Sequence, residues 1–220
     1  MTDVELKNQK YLENTKTKKG RERTRLLLAH AIDTFIELGY EGTSLTKIIE
    51  KSGGSRSTVY QCFGNKEGLF IAALEMMADD LYSACISEYR HGRTLTEDLV
   101  GFGEIFLTAI TAPRAVGAMR LVYTQAPLIP KVGKWFHKEA IEASYKALAK
   151  ILENHIDATA QELIPLAAVY VESIKGRLFH KVLCLPEYRP TETEIKDEVA
   201  LCAEMLIAEI RLRYAERLRK

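Results

Sequence analysis

Residues 53–70 read GGSRSTVYQCFGNKEGLF, and the chemistry-bearing side chains crowd into the middle of that stretch. On a helix from Arg56 to Phe63, residues four apart share a face. Val59 and Phe63 then point inward together. Arg56 and Tyr60 form one outward column, and Ser57 and Gln61 form the next. The outward face presents a guanidinium, a phenol, a hydroxyl and a carboxamide. These groups match base edges in a major groove, with Arg toward guanine, Gln toward adenine and the Thr58 methyl toward thymine.

Such a rod needs neighbours to hold it. Upstream, YEGTSLTKIIEKSGG predicts a short helix capped by Thr43 or Ser44, buried through Leu45, Ile48 and Ile49, and ended at Gly53. Ser55 is placed to cap the second short helix. A tight glycine turn between the two predicts a steep crossing, as in a helix-turn-helix. The first helix of such a pair crosses the nucleic-acid backbone and offers its N-terminal amides to phosphate, with Thr43 and Ser44 beside them. Lys66 lies just past the second helix, placed for another phosphate.

The remaining periodicity is helical throughout, with no alternating strand pattern. A first helix is expected over residues 21–38, ended by Gly39. A long helix starts after Asn65, and Thr96 with Glu97 and Asp98 opens another through Ala109. Pro113 begins a third through Tyr123. Further helices are expected over 131–154, 160–183 and 192–217. The fold class is all-α, with an N-terminal three-helix bundle and a larger helical domain behind it. The expected divisions are a flexible basic arm over 1–19, a helix-turn-helix domain over 20–66, and a regulatory and dimerisation domain over 67–220.

Charge follows that division. Residues 1–66 hold 12 Lys or Arg against 8 Asp or Glu, and residues 67–220 hold 19 against 22. A basic head on a slightly acidic body points to an anionic partner for the head. No run of 18 apolar residues occurs, so no membrane span is expected. The first twenty residues lack the apolar core of a secretory signal. Cys62, Cys85, Cys184 and Cys202 have no metal-like spacing and are expected to be reduced structural thiols in a cytoplasmic protein. No metal, cofactor or catalytic residue is expected.

Residues 21–81 resemble the DNA-binding head of the TetR family of bacterial transcription regulators. The matching string is AHAIDTFIELGYEGTSLTKIIEKSGGSRSTVYQCFGNKEGLF. Gly39-Tyr40, Thr43-Ser44, the run Ser55 to Tyr60 with Phe63, and Lys66, Glu67 and Leu69 carry the resemblance. It implies that Ser55, Arg56, Ser57, Thr58, Tyr60 and Gln61 face bases and adjoining phosphates, with Thr43, Ser44 and Lys66 on the backbone. Gly54 and Cys62 depart from the family pattern, and Cys62 is given no DNA role.

The segment TAPRAVGAMRLVYTQAPLIPKVGKWFHKEAIEASYKALAKIL is similar to the AefR-like subgroup of regulatory domains. A largely apolar effector pocket is expected among Phe102, Phe106, Met119, Arg120, Tyr123, Trp135, His137 and Tyr145, with Gln125 as a further polar candidate. The final helix carries two apolar stripes and so needs two partners. The expected homodimer interface is Ile174, Leu178, Cys202, Leu206 and Ile210. A two-fold dimer implies a pseudo-palindromic double-stranded operator, and the resemblance makes repression with release by a small-molecule effector the default. Two rivals remain: a DNA-binding regulator with no ligand, and a helical-bundle metalloenzyme built on Glu88 and His91 at i, i+3.

Overall fold

A computed structural model describes residues 17–52, 56–87 and 93–219. Ordered helices account for the described chain: α1 Lys18–Gly42, α2 Leu45–Ser52, α3 Arg56–Phe63, α4 Lys66–Ser87, α5 Leu95–Thr111, α6 Pro113–Gln125, α7 Pro130–Trp135, a π-helical segment Phe136–Ile141, α8 Glu142–Leu152, α9 Ala160–Cys184 and α10 Glu192–Tyr214. The fold is all-α, as the periodicity predicts. No single described helix is long and apolar enough to cross a membrane.

The described residues fold as two compact units: those up to 80 with 117–137, and those of 81–116 with 138–219. In the first unit, α1 starts three residues earlier than expected because the Thr17 side chain accepts the Gly20 amide at 3.1 Å. Its inner stripe is Leu27, Leu28, Ala31, Ile32 and Phe35, all buried. Regular helix stops at Gly39, whose φ of 73° lies in the left-handed region that glycine adopts without strain. Gly64, after α3, repeats the device with a φ of 76°. Phe35, Tyr40 and Phe70 then close an aromatic cluster, with ring centroids 4.8 to 5.7 Å apart. That cluster fixes the start of α4 against α1.

The second unit is a helical core of α5, α8, α9 and α10. Leu99, Leu148, Leu152, Leu163, Val171 and Ile210 are fully buried in it. Three of its helices begin with a capping box: Thr94 with Glu97, Thr159 with Glu162, and Thr191 with Glu194. The first of these corrects the start expected at Thr96. With Thr94 as the cap, Glu97 falls at the third helical position and its carboxylate reaches back to the Thr94 amide at 2.7 Å.

The single helix expected over 131–154 is three segments instead. The Tyr82 hydroxyl donates to the Ala140 carbonyl inside the π-helical stretch. A side chain that engages a main-chain carbonyl disturbs the ordinary ladder, and a wider turn accommodates it.

Candidate nucleic-acid interface

Three elements of the first unit build the interface. In α2, Ser44 is exposed and its hydroxyl accepts the Lys47 amide at 3.3 Å, so it caps the helix. Thr43 takes a different part. It is 2% exposed, and its hydroxyl donates to the Gly39 carbonyl at 2.7 Å. A side chain spent on the interior in this way does not face a partner outside, whereas Ser44 is exposed. α2 carries no acidic residue in its first turn. No carboxylate in that turn offsets the positive end of its helix dipole.

α3 has the inward and outward division read from its spacing. Val59 is 1% exposed and Phe63 7%. Arg56, Ser57, Tyr60 and Gln61 are exposed, Tyr60 at 54%. The Arg56 guanidinium donates to the Thr46 hydroxyl of α2 at 2.7 Å. One face of the fork is thereby held, and the other donors remain available for an acceptor. Nothing in the sequence pattern singled out Thr46; the pairing arises only when the two helices cross. Cys62 is half-buried, and burial pushes its thiol pKa up, which disfavours the reactive thiolate. The turn residues Gly53 and Gly54, and the expected cap Ser55, lie outside the described residues, as do Glu88 and His91.

Lys66 opens α4 half-buried. Its ammonium donates to the Tyr40 carbonyl at 3.0 Å, sits 4.3 Å from the Tyr40 ring centroid and lies 3.8 Å from a Glu41 oxygen. It therefore ties the end of α1 to the start of α4, just past the end of α3. Lys47, which the sequence pattern did not single out, is exposed at the start of α2 with its ammonium 3.0 Å from the Gly42 carbonyl oxygen.

The expected pocket residues divide between the units. Phe102 and Phe106 stack in the second unit with centroids 5.7 Å apart, and the Tyr145 hydroxyl donates to Glu172 at 2.6 Å. Burial, reinforced by that carboxylate, raises the Tyr145 pKa. Met119, Arg120, Tyr123, Trp135 and His137 belong to the first unit. Trp135 is buried, whereas Tyr123 is 50% exposed and His137 is exposed.

The expected dimer residues require a correction. Ile174, Leu178, Cys202, Leu206 and Ile210 are each 8% exposed or less and form core within one chain. The other stripe of α10 is the uncovered one: Leu201, Met205 and Leu212 are 56%, 65% and 79% exposed, and Val169 on α9 is 62% exposed. Both stripes are apolar, and only the packing of α10 against α5 and α9 decides which turns inward. Among the described residues, no group of three or more His, Cys, Asp or Glu could hold a metal ion.

Comparison with known proteins agrees with this geometry. Residues 27–73 match the model of bacterial regulatory proteins of the tetR family, and residues 97–210 match the C-terminal domain of AefR-like transcriptional repressors. The chain is 26% identical over 120 residues to an uncharacterized HTH-type transcriptional regulator, YezE, of Bacillus subtilis (strain 168). That match spans 53% of this chain and 62% of YezE. It is 40% identical over 67 residues to the HTH-type transcriptional repressor ComR of Escherichia coli (strain K12), spanning 28% of this chain and 32% of ComR. Among solved structures, a chain from Mesorhizobium loti MAFF303099 assigned to the TetR family superposes with a TM-score of 0.73 at 21% identity, covering 88% of this chain and 98% of that one. The flavonoid-responsive regulator FrrA superposes with a TM-score of 0.64 at 20% identity, covering 86% and 96%. The chain belongs to the TetR family of DNA-binding transcriptional regulators, which are typically repressors and not enzymes.

Proposed function

We propose that this protein binds a pseudo-palindromic operator as a homodimer and represses transcription until a small, largely apolar effector releases it. The observation that carries the reading is the outward face of α3, where Arg56, Ser57, Tyr60 and Gln61 stand exposed on a helix anchored by Val59 and Phe63. Arg56 and Gln61 supply the bidentate groups that distinguish guanine and adenine, and Tyr60 and Ser57 reach adjoining phosphates. Ser44, the α2 amides and Lys66 hold the backbone. The head is assigned to residues 20–66, preceded by a basic arm, and the remainder to regulation and pairing. The protein acts in the cytoplasm, where its operator is.

Pairing uses the uncovered face of Val169, Leu201, Met205 and Leu212. A two-fold dimer presents two α3 helices to successive major grooves, which lie about 34–36 Å apart. An effector that favours another spacing lowers operator affinity by population shift. Selection of binding sites from a random duplex library, with the stoichiometry of the complex determined by sedimentation, tests this reading. Two related half-sites bound by two chains are expected. Failure to enrich any sequence, or enrichment of one asymmetric site by a single chain, rejects it.

A further inference from the structure

We infer that Gln125 and Trp135 are the polar contacts of an effector site in the first unit, and that they select a neutral, phenol-like molecule. The inference rests on the effector-responsive reading proposed above and gives that effector a chemical class. Gln125 is 8% exposed and its Oε1 accepts no hydrogen bond, while Trp135 is 9% exposed and its indole Nε1–H donates none. Native proteins leave few buried polar atoms unpaired, and each such atom marks a missing partner. Here the two are complementary, one an orphan acceptor and the other an orphan donor. They do not satisfy each other.

Both lie at the ends of one helical hairpin. Gln125 is the last residue of α6, and Trp135 is the last residue of α7. A methyl group at Gly133 would stand 3.4 Å from the carbonyl oxygen of Ala126, the residue after α6, so α7 folds back on the turn that follows α6. The Tyr123 and Phe136 rings meet edge to face at 5.8 Å, and Trp135 lies 6.4 Å from Phe136. The π-helical segment starts immediately after Trp135, and such segments recur at functional sites. A hydroxyl both donates and accepts, so it suits either orphan group. The aromatic neighbours suit a ring. Both orphan groups are uncharged, so a neutral ligand brings no unpaired charge inside.

The hairpin also touches the DNA-reading head. A methyl group at Gly117 of α6 would stand 2.7 Å from Ile36 of α1, and Lys131 of α7 pairs with Glu67 of α4 at 3.0 Å. A ligand that shifts the hairpin therefore acts on the helices that flank α2 and α3.

Trp135 is the sole tryptophan of the chain, so emission excited at the red edge of the absorption band, where tyrosine does not absorb, reports this site alone. Titrations with 4-ethylphenol, 4-ethylanisole and ethylbenzene provide both hydrogen-bonding groups, an acceptor only, and neither. Saturable emission changes are expected, with affinity falling in that order by about tenfold from first to last. Gln125→Leu should weaken 4-ethylphenol by about three- to tenfold, leave ethylbenzene unchanged, and not lower the melting temperature. Equal affinity for the three probes overturns the inference, as does an unaltered preference in Gln125→Leu. No saturable change with any probe, while the protein still binds its selected operator, rejects the site and leaves the DNA reading standing. A lowered melting temperature in Gln125→Leu with no probe bound would assign the two groups to a buried water only. Probe binding without any sequence-specific DNA binding would instead strike the proposed function.

Discussion

Outward side chains on α3 are a guanidinium, a phenol, a hydroxyl and a carboxamide, whereas those on α9 and α10 include Val169, Leu201, Met205 and Leu212. Helix starts differ in the same way. α1, α2 and α3 have no acidic residue in the first turn, while α5, α9 and α10 each begin with a glutamate closing a capping box. The body satisfies its own helix ends and leaves apolar surface uncovered. The head starts α1 and α2 with hydroxyl caps and no carboxylate, and its α3 turns polar side chains outward. The proposed partners differ accordingly: phosphates and base edges for the head, a second apolar face for the body.

Substitutions on the two sides of α9 and α10 give the largest effects. Ile174→Ala, inside the second unit, is expected to cost about 2–5 kcal/mol of unfolding free energy in urea denaturation. A negligible change in stability, with loss of self-association, would return Ile174 to the interface. Met205→Glu, on the uncovered side, should weaken dimerisation by about 2 kcal/mol or more in sedimentation equilibrium while the fold melts normally. An unchanged dimer would move pairing to another face. Thr46→Ala frees the Arg56 guanidinium from α2, and anisotropy with the selected operator should show a loss of about 0.5–1.5 kcal/mol. Equal affinity would mean that the Thr46 contact does not position Arg56.

The smallest effect tests the helix starts. The Thr191 amide, then the Tyr188 hydroxyl, holds the Glu194 carboxyl below its ordinary value of 4.5. A folded-state value lowered in this way gives stability that is fully present above the ordinary value and lost as pH falls through the lowered one. Glu194→Gln should therefore flatten the acid limb of the melting-temperature profile. A mutant profile parallel to the parent across that range would contradict the assignment.

Much of the head was legible in its sequence, because helical spacing alone separates Val59 and Phe63 from Arg56, Tyr60, Ser57 and Gln61. Gly39 marks the end of the first helix through its own backbone freedom, and the all-α class follows from period. The body resisted for a physical reason. α10 has two apolar stripes, and period cannot say which of them meets α5 and α9, so Ile210 and Leu206 were expected on the wrong side. The break between Trp135 and Glu142 depends on Tyr82, more than fifty residues upstream, and no local pattern carries it. Thr43 looked like a phosphate anchor by type, and became a main-chain clasp once α1 turned at Gly39. The Thr46 contact to Arg56 likewise depends on a crossing between helices.

The central claim, that α3 reads base edges, is tested most directly by binding the parent and Arg56→Ala proteins to the selected operator and to a random duplex across a range of salt. Loss of about 1–3 kcal/mol on the operator, with little change on the random duplex and an almost unchanged salt slope, is the predicted result. Equal loss on both duplexes would contradict it, since Arg56 would then be only a phosphate contact.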